Sequence, residues 1–216
     1  VPVITSAKTT QPIVEVAIDN RRPWRRKHWS AICHAYAKAP YFETYAPALQ
    51  SIYEREWDQL TELNLCLLRT LLDALDIRTP LIRSGTLALH GHKNQLILSI
   101  CQELGATSFW FGEGGLAYAQ PELFQRHGVT ARFQRYRHPI YDQGPGGEFV
   151  PYLSVIDLLF RAGPRSREII MASNVDRDGR LPKDGLPASQ LGPHEGRSLC
   201  VHNHAAAGKP IGGVTS

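Results

Sequence analysis

Between Glu56 and Leu75 the residues Trp57, Leu60, Asn64, Leu68, Leu71 and Leu75 recur every three or four positions. That spacing puts them on one stripe of an α-helix, and an apolar stripe of this length has to be covered by other elements. The fold is therefore expected to begin from packed helices. The run is also interrupted by Glu62, Arg69 and Asp73. No stretch of the chain reaches the roughly 18 consecutive apolar residues of a membrane-spanning helix, which excludes one.

Before this helix, Pro12 to Ile18 alternates loosely enough to predict a half-buried strand. Trp24, His28, Ile32 and Tyr36 then predict a helix that accepts Pro23 at its start and stops before Pro40, and a further helix is expected over Tyr45 to Tyr53. After it the period alternates. Short strands are predicted at Pro80 to Ser84, at Ser108 to Phe111, where a continuous apolar run implies burial on both faces, and at Val129 to Tyr136. Helices are predicted at Lys93 to Leu104 and Pro121 to His127, closed by Gly105 and Gly128. Two more are expected at Leu153 to Arg161 and Arg165 to Met171, after a loop at Gln143 to Gly147. The expected class is α/β, a helix-rich N-terminal half followed by alternating short strands and helices in a small mixed sheet.

The pattern ends at Ser173. The last 43 residues contain seven Gly, four Pro and no Phe, Trp or Tyr. So little apolar surface cannot offset the entropy of ordering, which predicts a domain over 1–173 and a disordered tail over 174–216. Cys200, His194, His202 and His204 fall in that tail without a scaffold to make them a metal site. The other cysteines, Cys33, Cys66 and Cys101, sit in apolar helical patterns with no CxxC, as small core hydrophobes do. Free thiols, and a start at Val1 without a signal-peptide pattern, predict a cytoplasmic protein.

A net charge of +4 is too mild to coat nucleic acid, but Arg21, Arg22, Arg25, Arg26 and Lys27 place five cations within seven positions at a helix start. Free N–H groups and the helix dipole already favour an anion there, so a phosphate-bearing ligand is one reading. Base stacking on Trp24 and Trp29 is a second, and a solvated face with both tryptophans in the core a third.

Gly112 to Gly115 follows a predicted strand and can bring N–H groups close to a ligand, or be a plain turn. Neither GxGxxG nor GxxxxGK[ST] occurs, and no cofactor is indicated. His138, near Tyr141 and Asp142 in a proline-stiffened turn, is a candidate general base or a turn hydrogen-bonder. Ser154 and Asp157 have the spacing of a capping box. His90 and His92 lack a third ligand at fixed spacing, so no metal site is assigned.

Taken together, "IDNRRPWRRKHWSAICHAYAKAPYF", "GATSFWFGEGGLAY", "ELFQRHGV", "HPIYDQ" and "FVPYLSVIDLLFRAGP" resemble, in order and spacing, the WbqC-like family of bacterial proteins encoded among surface-polysaccharide genes. The resemblance covers roughly residues 1 to 170 and implies a glycine (aminoacyl) transferase acting on a sugar in O-antigen assembly. It also implies that a His-Gln-Pro-Tyr-like segment of the family would precede Val1. Gln95 stands where similar proteins carry Arg.

The positions it points to are Trp24, Lys27 and His28, then Gly114, Gly115 and Tyr118, then His138, Tyr141 and Asp157. In the implied chemistry, His138 takes a proton from a sugar amine while the Gly114 and Gly115 amides hold the oxyanion of an activated glycyl donor. Arg25, Arg26 and Lys27 hold the diphosphate of a nucleotide-sugar. The competing class is a non-enzymatic phosphate or nucleic-acid binder using the basic helix start, and a third is a structural partner in a biosynthetic complex.

Overall fold

The structure, a computed structural model, describes residues 1–4, 11–145, 147–172 and 174–176, with 135 and 174–176 described by backbone alone. Helix α1 spans Trp24–Tyr36, α2 Phe42–Glu54 and α3 Leu60–Ala74. α2 starts three residues before the expected Tyr45, because Phe42 is buried with its ring 5.2 Å from that of Phe160. Pro47 consequently lies inside the helix, on its exposed side.

α3 begins four residues later than its period predicts. Gln59 is extended, Ala17 bridges to it, and Ile18 N–H donates to Asp58 O at 2.8 Å, so this segment lies along the N-terminal chain instead of coiling. Trp57 is buried in that extended piece and donates Nε1–H to Ile52 O at 2.8 Å. The face of α3 turned inward carries Leu63 and Cys66, whereas Asn64 is exposed and Leu68 is 42% exposed. The predicted stripe was phased on Trp57, which is not helical, and one residue around a helix is about 100°.

The expected strand over Pro12 to Ile18 is mostly a 3-10 turn at Ile13–Glu15. Only Ala17–Ile18 (β2) pairs, antiparallel with Val3–Ile4 (β1). Ile13 and Val14 are exposed, because so short a partner strand offers no sheet face to cover them. Pro80 to Ser84 forms no strand: no neighbour pairs with it, Leu81 and Ile82 are exposed, and Arg83 reaches Glu62 at 2.8 Å.

Beyond this point the α/β alternation holds. α4 (Asn94–Glu103), β3 (Ser108–Phe111), α5 (Pro121–Arg126) and β4 (Thr130–Tyr136) follow in order, then α6 (Val155–Ala162), α7 (Ser166–Ala172) and β5 (Asn174–Asp176). The three-stranded sheet runs β3-β4-β5, parallel between β3 and β4, with Phe111 opposite Phe133, and antiparallel between β4 and β5. It is a small mixed sheet. β3 is its edge, so only Phe111 is buried and the two-faced burial expected of this strand is not found. The guanidinium of Arg132 lies 5.5 Å from the Trp110 ring.

β5 falls in residues assigned from composition to the tail, since three backbone pairings with β4 need no aromatic side chain. The rest of that tail, with Cys200 and its histidines, lies outside the described residues.

The core divides into three groups. Ile18, Trp24, Ile52, Trp57, Leu63 and Cys66 pack between the N-terminal chain and the helices. Leu98, Cys101, Phe111, Phe124, Val129 and Phe133 cover the sheet. Phe160 of α6 packs with Ala39, Phe42, Ala46 and Leu49. With the Phe160 ring also 5.1 Å from that of Tyr36, α6 is docked on α1 and α2, which matters for the site. No helix among the described residues is long and apolar enough to cross a membrane.

Candidate functional site

The predicted site residues separate into three places. At the start of α1, Trp24 is 4% exposed and donates Nε1–H to Asn20 Oδ1 at 3.2 Å, which places it in the core. Arg25 is committed to the fold, donating to Glu54 O at 3.1 Å and to Glu56 Oε1 at 2.9 Å. Arg21 is held by Asp19 at 2.7 Å, which keeps the Asp19 carboxyl below its ordinary range. Arg22, Arg26 and Lys27 are exposed and have no ion-pair partner among the described residues.

A groove of about 480 Å³ opens here, lined by Arg22, Arg25, Arg26, Trp29, Tyr53 and Glu54 among others. Lys27 does not line it. Trp29 and Tyr53 stack at 6.2 Å and 28° to form an aromatic wall. His28 packs edge-on to Trp24 at 5.5 Å and to Tyr53 at 6.1 Å, and burial lowers its pKa, which favours the neutral ring.

At the carboxyl end of β3, Gly115 is buried, and a Cβ there would stand 2.5 Å from that of Phe111. Its glycine identity is a packing requirement. Its N–H donates to Gly112 O at 2.8 Å, so that amide is not free to hold an oxyanion. Gly114 has open space around it. The exposed Tyr118 lies edge-on to Phe111, and its carbonyl accepts Asn94 Nδ2–H at 2.9 Å.

The third place gathers His138, Tyr141 and Asp157. Asp157, on the inward face of α6, is 3% exposed. Its backbone N–H donates to Ser154 O at 2.9 Å, but Ser154 makes no side-chain cap, so the capping box is not formed. The carboxylate instead accepts the Tyr141 hydroxyl at 2.8 Å. Burial first, and then Asp157 through its hydrogen bond and its charge, push the Tyr141 pKa up to about 12. Tyr36, at the last turn of α1, is raised for the same two reasons.

The ring of His138 sits among aromatics, 4.9 Å from Tyr152, 5.8 Å from Phe149 and 6.2 Å from Tyr141. Its Nδ1 is 2.9 Å from Pro139 O. A carbonyl can only accept, so Nδ1 carries the proton of this contact, and in the neutral ring the lone pair falls on Nε2. Phe149, Tyr152 and Tyr36 were not anticipated as members. The loop between Tyr141 and α6 has no periodicity to place the first two, and Tyr36 looked like an ordinary core position of α1.

The basic groove and this cluster lie at opposite ends of α1. Ten residues separate Arg26 from Tyr36, about 15 Å at 1.5 Å per residue. No hydrogen bond or ring contact among the described residues joins Gly114 or Gly115 to His138, or His28 to His138. His90 and His92 are exposed, and no group of three or more His, Cys, Asp or Glu placed to hold a metal occurs among the described residues.

Comparison with known proteins places this chain in a family. An uncharacterized protein of Mycobacterium tuberculosis, Rv1507c, is 30% identical over 172 residues, spanning 79% of this chain and 74% of that protein. No solved structure matches the chain. The profile of the WbqC-like protein family matches residues 1–169, which takes in α1, the glycine turn, the His138 cluster and α6, and the chain belongs to that family.

Proposed function

We propose that this protein is a cytoplasmic aminoacyl transferase of surface-polysaccharide assembly, passing a glycyl group from an activated donor to the amine or hydroxyl of a sugar. The observation that supports it best is the 2.9 Å approach of His138 Nδ1 to Pro139 O. With Nδ1–H bound to Pro139 O, Nε2 is the basic nitrogen, carried in a half-buried ring that the Asp157-anchored Tyr141 helps to seat.

Nε2 takes the proton of the sugar nucleophile as its nitrogen or oxygen bonds to the glycyl carbonyl carbon, and the C=O pair moves to oxygen. Collapse of that adduct breaks the bond to the donor, and the leaving group takes the proton back from Nε2.

His138→Ala tests the chemistry. Replacing the chromosomal copy should lower glycine incorporation into surface polysaccharide by about 10² to 10⁴, the usual contribution of a general base. Unchanged incorporation removes His138 from the mechanism.

The unpaired Arg22, Arg26 and Lys27 also support a second reading, a non-enzymatic phosphate binder. A steep fall of nucleic-acid affinity with log salt favours that reading, and selective binding of a sugar nucleotide favours the transferase.

A further inference from the structure

Arg161 lies one turn after Asp157 on α6, so the two side chains leave the same face of the helix. Its Nε is buried and has no hydrogen-bond partner, and its guanidinium makes no ion pair among the described residues. A cationic N–H shut away from water without an acceptor is costly, and an acceptor supplied by a ligand removes that cost. The nearest acid on its own helix, Asp157, forms no ion pair with it among the described residues and instead accepts the Tyr141 hydroxyl.

The loop beside it is shaped to leave the guanidinium in place. Gly144 has φ +89°, and a Cβ there would collide with Arg161 Nη1 and stand 3.0 Å from Cζ. Gln143 and Val150 exchange two hydrogen bonds, at 2.8 and 2.9 Å. That clasp ties the segment over Arg161 to the segment whose Tyr152 ring faces His138.

We propose that Arg161 is an anion-holding residue of this cluster, so that the molecule accepted beside His138 carries a carboxylate or a phosphate. A planar guanidinium meets either group with two parallel hydrogen bonds. The inference rests on reading the His138 cluster as a substrate site, but not on aminoacyl transfer.

The test is calorimetric titration of the full chain with glucuronate, inorganic phosphate and neutral glucose, in an Arg22→Ala/Arg26→Ala background so that the unpaired arginines of the α1 groove do not contribute. At least one anion should bind and glucose should not; preference between the two anions identifies the group. Arg161→Gln should weaken the anion at least tenfold, Arg161→Lys should recover part of it, and Gly144→Ala should weaken it with the cation still present.

Binding of neither anion overturns the proposal, as does unchanged anion affinity in folded Arg161→Gln or, should that variant not fold, in Gly144→Ala. His138→Ala should retain anion binding while losing transfer, so failure of the transferase reading is seen separately.

Discussion

The two ends of α1 are built on opposite principles. At the first turn the charge is on the outside: Arg22, Arg26 and Lys27 are exposed, and the aromatic groups beneath them are core. At the last turn the polar groups are inside, with Asp157 buried and hydrogen-bonded to Tyr141. Exposed cations cost little and contribute little to stability. A buried carboxylate persists only because tyrosines and the surrounding helices hold it. The first arrangement depends on one stretch of sequence, and the second joins α1, the loop after β4, and α6.

The contrast is most easily broken at Trp24, which sits within one turn of the free arginines. Trp24→Ala should destabilise the protein by about 3–5 kcal/mol, the range for removing a large aromatic from a core. Arg26→Ala, two residues on, should stay within about 0.5 kcal/mol. Urea denaturation measures both. Similar costs for the two substitutions would mean that the outer residue is structural as well.

At the other end Tyr141→Phe removes the hydroxyl that Asp157 accepts, leaving a buried carboxylate oxygen short of a partner, and should cost about 1–3 kcal/mol. A pH series sharpens the result. The Tyr141 pKa in the folded protein, about 12, lies above the ordinary value of 10.0. Between these values the unfolded chain has lost the proton and the folded one has kept it. Stability is therefore complete below pH 10 and falls as pH rises toward 12. The Phe variant should lack that component of the alkaline loss.

What the sequence disclosed follows the same division. α1, α4, β3, β4 and the order of the α/β half were legible because one period dominates each of them. α3 was legible as a helix, but its inward face was not. Its leucines occupy several stripes at once, and Trp57, buried in an extended segment, set the phase wrongly. Pro12 to Glu15 and Pro80 to Ser84 are not strands, because alternation yields a strand only where a partner exists to pair with it.

Within the site, His138, Tyr141 and Asp157 come together; side-chain chemistry points to His138 and Tyr141, and the family resemblance adds Asp157. Asp157 looked like half of a capping box because spacing cannot show which of two acceptors a carboxyl group will choose. The cations at Arg21 to Lys27 were obvious as composition, yet Arg25 turned out to be tied to Glu54 and Glu56, which lie about 30 residues away in sequence and whose proximity only the fold reveals.

The smallest effect is also the one with an unusual sign. Tyr152 has φ +62° and is 78% exposed, with its ring edge-on to His138. A side chain in the left-handed region costs on the order of 1 kcal/mol, and an exposed ring recovers little of that by packing. Glycine carries no such penalty there but adds freedom to the unfolded chain, so Tyr152→Gly should be neutral to stabilising by up to about 1 kcal/mol in melting or urea experiments. If the ring serves only the fold, the variant should instead be less stable and bind ligands as before. If it serves the cluster, stability is kept while affinity for the anion probes falls, because the wall facing His138 has been removed. Holding a strained, exposed aromatic beside a basic nitrogen is then the counterpart of leaving Arg26 unpaired at the opposite end of α1. In both places an exposed residue adds little to the stability of the fold.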